Sequence, residues 1–149
     1  MTLRVSRDSG RTHSPETIAT NDPPSRSRFY LRTLRAVPRA RDFTRVALVD
    51  WRVDSRTDEI VQCVRELAAN AVRHGAPPGR GFLLKLVHDG PVIRAEVHDS
   101  GEPMPHLPRT GASTDATTGR GLLLVAALSD AWGVRERNPG KAVWTEFHR

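Results

Sequence analysis

With 149 residues, 38% of them hydrophobic, the chain can bury one core of ordinary domain size and leaves no room for two enzymatic domains. No apolar run approaches the roughly 18 residues that cross a bilayer, and MTLRVSRDSGRTHS at the N-terminus has no signal-peptide core, so the expected location is cytoplasmic. A single cysteine, Cys63, excludes an internal disulfide and a zinc finger, and the net charge of +6 raises nucleic acid as a partner. Residues 1–45 hold ten arginines against Asp8, Glu16, Asp22 and Asp42, whereas residues 46–149 balance thirteen basic groups against thirteen acidic ones. A basic arm on a neutral body reads as a solvated extension, which argues against nucleic acid and leaves room for steering toward an acidic partner.

Residues 1–27 are rich in Ser, Thr, Arg and Pro and show no hydrophobic period, which predicts a disordered basic extension before a domain over 28–149. Phe29, Leu31 and Leu34 alternate with polar residues as in a short edge strand. Pro38 suits the first turn of a helix running to Trp51, with Phe43, Val46, Ala47 and Val49 or Asp50 on its apolar face. From Thr57 to His74 the apolar residues Ile60, Val64, Leu67 and Ala71 recur at steps of four, three and four, a core helix that Gly75 and Pro77-Pro78 stop. Phe82–His88 and Val92–His98 read as antiparallel strands joined at Asp89-Gly90. Residues 102–119 are rich in Pro, Gly, Ser and Thr, long for a connector and suited to a lid. A helix from Gly121 to Ala131 ends at Gly133, and Val134–Arg137 with Ala142–Phe147 form a second hairpin across Asn138-Pro139-Gly140. These elements predict a two-layer α/β sandwich, a mostly antiparallel sheet with about three helices on one face.

Three patches break the local rules. Glu66 and Asn70 lie one turn apart on the core helix, about 100 degrees around from the Leu67 stripe. Together they can share a hydrated divalent cation, or Glu66 can take a proton from an attacking hydroxyl; an ordinary surface carboxylate with a polar neighbour satisfies the same spacing. In Val97-His98-Asp99-Ser100-Gly101, the period of two turns Asp99 inward with Ile93, Ala95 and Val97. An inward carboxylate needs a partner, such as the exocyclic amine of adenine, and Gly101 lets a ring approach the backbone; a strand-ending turn fits equally. Gly119-Arg120-Gly121 leads into the apolar run Leu122–Val125, a natural phosphate seat at a helix N-terminus. It follows no strand and has no Gly-Lys-Ser/Thr, so dinucleotide-fold and P-loop readings fail. The six histidines lack metal-ligand spacing, Cys63 reads as a buried small hydrophobe, and Trp132 and Trp144 as core filling between helix and sheet.

Taken in order, Glu66-Leu-Ala-Ala-Asn70-Ala-Val-Arg-His74, Asp99-Ser-Gly101-Glu-Pro103 and Gly119-Arg-Gly121-Leu-x-Leu-Val125 resemble the motifs of the GHKL ATPase superfamily. Within it the match is most similar to the small bacterial anti-sigma-factor serine kinases, and Lys141-Ala-Val-Trp144-Thr145-Glu-Phe147 resembles their final strand. The resemblance covers about residues 29–149 and implies ATP and Mg²⁺ as cofactors, a sigma factor and an anti-sigma-factor antagonist as partners, and a homodimer. It implies Glu66 as general base, Asn70 as the Mg²⁺ ligand, Asp99 at the adenine amine and Gly101 beside the ring. Gly119 and Gly121 would form the phosphate-facing hinge of the lid, with Arg120 between them at the nucleotide, and Thr145 would lie beneath the base; Arg73 and His74 are near enough on the helix to touch phosphate, although basic residues at a helix end more often just complement its dipole. Two departures stand out: Glu102-Pro103 replaces a glycine common in the superfamily, and the lid has no lysine.

Overall fold

The period-two segments become strands whose inward residues meet across one sheet. The computed structural model describes residues 22–74, 80–99, 116–136 and 140–149. Its elements in chain order are β1 (Ser25–Leu31), α1 (Ala36–Asp50), α2 (Thr57–His74), β2 (Gly81–Asp89), β3 (Val92–Asp99), α3 (Ala116–Leu128), β4 (Ala131–Glu136) and β5 (Lys141–His148). The sheet runs β1-β2-β3-β5-β4 with every neighbouring pair antiparallel. Its helix-facing side is made by Phe82, Leu84 and Leu86, then Ile93, Ala95 and Val97, then Val143 and Phe147, all buried. Each of these side chains larger than alanine contributes about 1.5–3 kcal/mol when removed from water. α2 packs on β2, β3 and β5, and both α1 and α3 pack against α2. This is the expected α/β sandwich.

The bounds of α2 match the periodic stripe, and Gly90 turns the β2–β3 hairpin at φ +56°, a conformation that suits glycine. Elsewhere tertiary context overrides the local pattern. β1 begins at Ser25, so the folded domain reaches into the expected extension; residues 1–21 lie outside the described residues. Its inward residue is Tyr30, stacked on Phe82, while Phe29 and Leu31 are exposed on the other side. α1 buries the small residues Ala36, Ala40, Thr44 and Ala47 with Leu48, and leaves Val46 and Val49 at 56% and 72% exposure. Close approach to α2 favours small side chains, and Thr44 is tolerated because its hydroxyl donates to the Ala40 carbonyl at 2.8 Å. Seven of the ten arginines in residues 1–45, from Arg26 to Arg45, lie on β1, α1 and their connection. The basic excess therefore belongs largely to the folded body, contrary to the reading of a neutral body with a basic tail.

α3 ends at Leu128 rather than Ala131, and Gly133 is a β4 residue instead of a helix stop. A Cβ at Gly133 would lie 2.7 Å from the Trp144 ring, so the glycine makes room for that indole. Trp144 itself points away from Val143, Thr145 and Phe147, onto the sheet face that none of the described helices covers, where Arg94 covers it at 4.4 Å. The expected placement of Trp144 between helix and sheet is thus corrected; Trp132 does pack on the core. Arg56, in left-handed backbone at φ +63°, ties three chain segments together. It bonds Glu59 at 2.9 Å, the Leu128 carbonyl at 2.9 Å, the His148 carbonyl at 3.0 Å and the Asp130 carboxylate, and its own pKa is raised, most by Glu59.

On that outer face Glu96 is buried and accepts from His98 at 3.0 Å and Arg94 at 3.0 Å. These hydrogen bonds, His98 first, hold its carboxyl down at about 2 against burial, which raises it. A depressed folded-state pKa gives stability that is complete above the ordinary value of 4.5 and is lost as pH falls toward about 2. Glu96→Gln should therefore destabilise the protein at pH 7 by on the order of 3 kcal/mol. Urea unfolding at stepped pH should show the gap closing between pH 4.5 and 2; a gap independent of pH would contradict the ion cluster as its source.

Candidate functional site

α2 divides into an apolar stripe and a polar edge. Ile60, Val64, Leu67 and Ala71 are buried with Val61, Cys63 and Ala68. Burial pushes the Cys63 thiol up to about 12, leaving it protonated and inert, as its mid-helix position suggests. Asn70 lies deeper than its position off the stripe suggests, and its Oδ1 has no hydrogen-bond partner among the described residues. A buried amide oxygen left without a partner costs about 1–3 kcal/mol, so it is held against the interest of stability. Such a hard oxygen fits Mg²⁺, which is bound through few protein ligands together with phosphate oxygens and water. No cluster of three His, Cys, Asp or Glu offers an alternative cage among the described residues.

One turn earlier Glu66 is partly exposed. Its Oε1 accepts from Gln62 Nε2 at 3.1 Å and from the Arg65 guanidinium at 3.4 Å. Its Oε2 faces α3 at Gly121, where a Cβ would stand 2.8 Å away. A side chain here would push the Glu66 carboxylate out of its present position, so the glycine lets that carboxylate lie against α3. Because α3 starts at Ala116, Gly119 and Gly121 lie inside the helix rather than ahead of it. By position both Gly119 and Gly121 fall after the four leading N–H groups that lack an intrahelical acceptor, which corrects the reading of both as a free anion seat.

Between α1, α2 and α3 runs a cavity of about 530 Å³ lined by Arg41, Arg65, Glu66, Arg73, Arg120 and Gly121, with Val37, Val72 and Leu124 among its apolar walls. Four guanidiniums against one carboxylate favour a polyanion. The groove joins Glu66, Arg73, Arg120 and Gly121 of the expected set; His74 does not line it. Arg41 and Arg65 were not among the expected residues, and no local motif marks them.

A second group forms at the ends of β3 and β5. Asp99 turns inward and stands opposite Lys141. Lys141 Nζ donates to Asp99 Oδ1 at 3.2 Å, and each side chain is 2% exposed. Thr145, buried on the same side of β5, donates to the Ala95 carbonyl at 3.5 Å. Gly101 and residues 102–115 of the expected lid lie outside the described residues. The guanidinium groove and the Asp99–Lys141–Thr145 group are thus two clusters in this structure, and Asn70, Asp99 and Thr145 do not line the groove.

Residues 31–147 match the histidine kinase-like ATPase domain. The chain belongs to this family. Its fold is similar to part of the crystal structure of the RsbU and RsbW domains of Rv1364c from Mycobacterium tuberculosis, at 21% identity and a TM-score of 0.66 over 84% of this chain. The chain spans 32% of that one. The histidine kinase AdeS of Acinetobacter baumannii aligns over 83% of this chain and 68% of its own, at 17% identity and a TM-score of 0.44. Among curated proteins none matches. For a histidine kinase-like ATPase domain, ATP is the implied ligand, and the arginine groove and inward carboxylate are chemically suited to its phosphates and its base. No described helix is long and apolar enough to cross a membrane.

If Asn70 is kept for a ligand at a cost to the fold, Asn70→Leu should stabilise the unliganded protein by about 1 kcal/mol, since replacing an unsatisfied buried polar group by an apolar one of similar size is favourable. Equilibrium urea unfolding checks this; a loss of stability would make Asn70 a structural residue.

Proposed function

We propose that the protein is an ATP·Mg²⁺-dependent serine kinase of cytoplasmic anti-sigma type, which phosphorylates an antagonist protein and exchanges it for a sigma factor. The observation that carries the reading is the buried, unpaired Asn70 Oδ1 one turn from a carboxylate that opens onto a groove of arginines. Asn70 supplies the protein oxygen for Mg²⁺, whose part when bound is to neutralise charge on the phosphates. Asp99 accepts the adenine amine, and Thr145 lies on the sheet beneath the ring. Arg73 and Arg120 stand on the phosphate side, with Gly119 and Gly121 in the helix that borders it, and Gly101 follows Asp99 at the ring. Glu66 takes the proton of the antagonist serine as the serine oxygen bonds the γ-phosphorus and ADP leaves.

Leu34, Val46 and Val49 on the β1–α1 connection and α1, and Phe29 and Leu31 on the opposite face of β1, are exposed apolar residues that protein partners, including a second copy in a homodimer, would cover. A second reading, a nucleotide-gated binding module without phosphoryl transfer, is favoured by one observation: Glu66 Oε1 is already engaged by Gln62 and Arg65.

The two readings diverge at Glu66→Gln. With labelled ATP and an antagonist domain, the kinase reading expects nucleotide affinity near wild type and transfer reduced by about 10²–10⁴-fold, as for a removed general base. Wild-type binding without label transfer would favour the binding module. Unchanged transfer in the variant would remove Glu66 from the mechanism.

Asp99→Asn should weaken ATP selectively, because an amide keeps one acceptor oxygen where the carboxylate has two. Competition binding with ATP and GTP measures this; equal losses for both would indicate damage to the fold.

A further inference from the structure

Asp99 and Lys141 are directly opposed on neighbouring strands, both inward, both shut off from solvent, with Nζ and Oδ1 3.2 Å apart. The next inward rung toward the sheet centre is Val97 opposite Val143, so an apolar pair fits this layer. Removing two charges from water commonly outweighs their mutual attraction, and a buried ion pair is therefore weak as a stability device. What the pair provides instead is an acceptor and an obligate donor side by side, fixed by the register of β3 and β5.

Resting on the reading of Asp99 as acceptor of the adenine amine, we propose that Lys141 is a second base-recognition residue, donating to the ring nitrogen beside that amine while its salt bridge holds Asp99 in place. Adenine presents a donor, the amine, next to an acceptor, N1; Asp99 and Lys141 present an acceptor next to a donor. A carboxylate has two acceptor oxygens and an ammonium three N–H groups, so the contact between Nζ and Oδ1 does not by itself use up the capacity of either group. Guanine in the same pose puts its O6 against the carboxylate and its N1–H against the ammonium, two repulsive contacts, so the pair also selects between purines. Lysine is the residue for the task because it cannot accept a hydrogen bond and so reads an acceptor unambiguously.

The test pairs a ligand change with a residue change. ATP and 1-deaza-ATP, which carries C–H in place of N1, are titrated into the wild type, Lys141→Met and Lys141→Gln, with folding followed by circular dichroism. The wild type should bind 1-deaza-ATP about 10- to 100-fold more weakly than ATP, the range for an acceptor lost opposite a charged donor. Lys141→Met should weaken ATP and bring the ratio close to one, and Lys141→Gln, which keeps a neutral donor, should fall between. A wild type that binds both nucleotides equally would overturn the proposal without any variant having to fold. So would a folded Lys141→Met that binds ATP more tightly, because the ammonium would then be blocking the base. If ATP binds and Asp99→Asn weakens it while the loss of N1 has no effect, this inference falls and the Asp99 reading stands. If the wild type binds neither nucleotide, both fall.

Discussion

Everything functional in this fold depends on how helix α2 is seated. Its apolar stripe must lie on the sheet, and in doing so it carries Asn70 into the interior with an oxygen unpaired and leaves Glu66 at the border with α3. The same seating brings α1 and α3 against α2, and their three surfaces make the arginine groove. Gly121 is the price of that closeness: any side chain there would contact the Glu66 carboxylate. A structural requirement, packing one amphipathic helix, thus brings together the groups of the proposed nucleotide site.

The sheet contributes through register in the same way. Antiparallel pairing of β3 with β5 decides that Asp99 meets Lys141 and that Thr145 lies two inward rungs away, past Val143. Shifting β5 by one residue would exchange these inward residues for Trp144 and Ala142 and destroy both the core and the candidate base site. On the opposite face the same register gathers Arg94, Glu96, His98, Glu146 and Trp144 into a charged cluster on a surface that none of the described helices covers. The two faces are therefore specified together, one by apolar packing and one by ion pairs around an aromatic ring.

Much of this was legible in the sequence where a single strong period decides the outcome. The four-three-four spacing of α2 defines that helix, and Asp89-Gly90 defines the hairpin, because both signals are local. The inward Asp99 followed from alternation, and its need for a partner was plain; Lys141 was available by the same alternation, since it shares the parity of Val143, Thr145 and Phe147. That parity also puts Trp144 on the outer face, so the period, and not the size of the indole, decides its place. Other features had no local signal. The left-handed Arg56 hub depends on partners more than seventy residues away, and the small-residue face of α1 is imposed by α2. The placement of Gly121 inside α3 follows from contact with Glu66 and not from the glycine spacing.

The central claim is that α2, α3 and the paired ends of β3 and β5 together take one ATP·Mg²⁺. Titrating ATP with Mg²⁺ into ¹⁵N-labelled protein while recording amide shifts tests it most directly. The account predicts that the large changes fall together, with one dissociation constant, on Glu66, Asn70, Asp99, Arg120 and Lys141, and that the outer-face residues Arg94 and Glu96 move little. Changes confined to the arginine groove, with Asp99 and Lys141 silent, would show that the groove binds anions without recognising a base and would contradict the account.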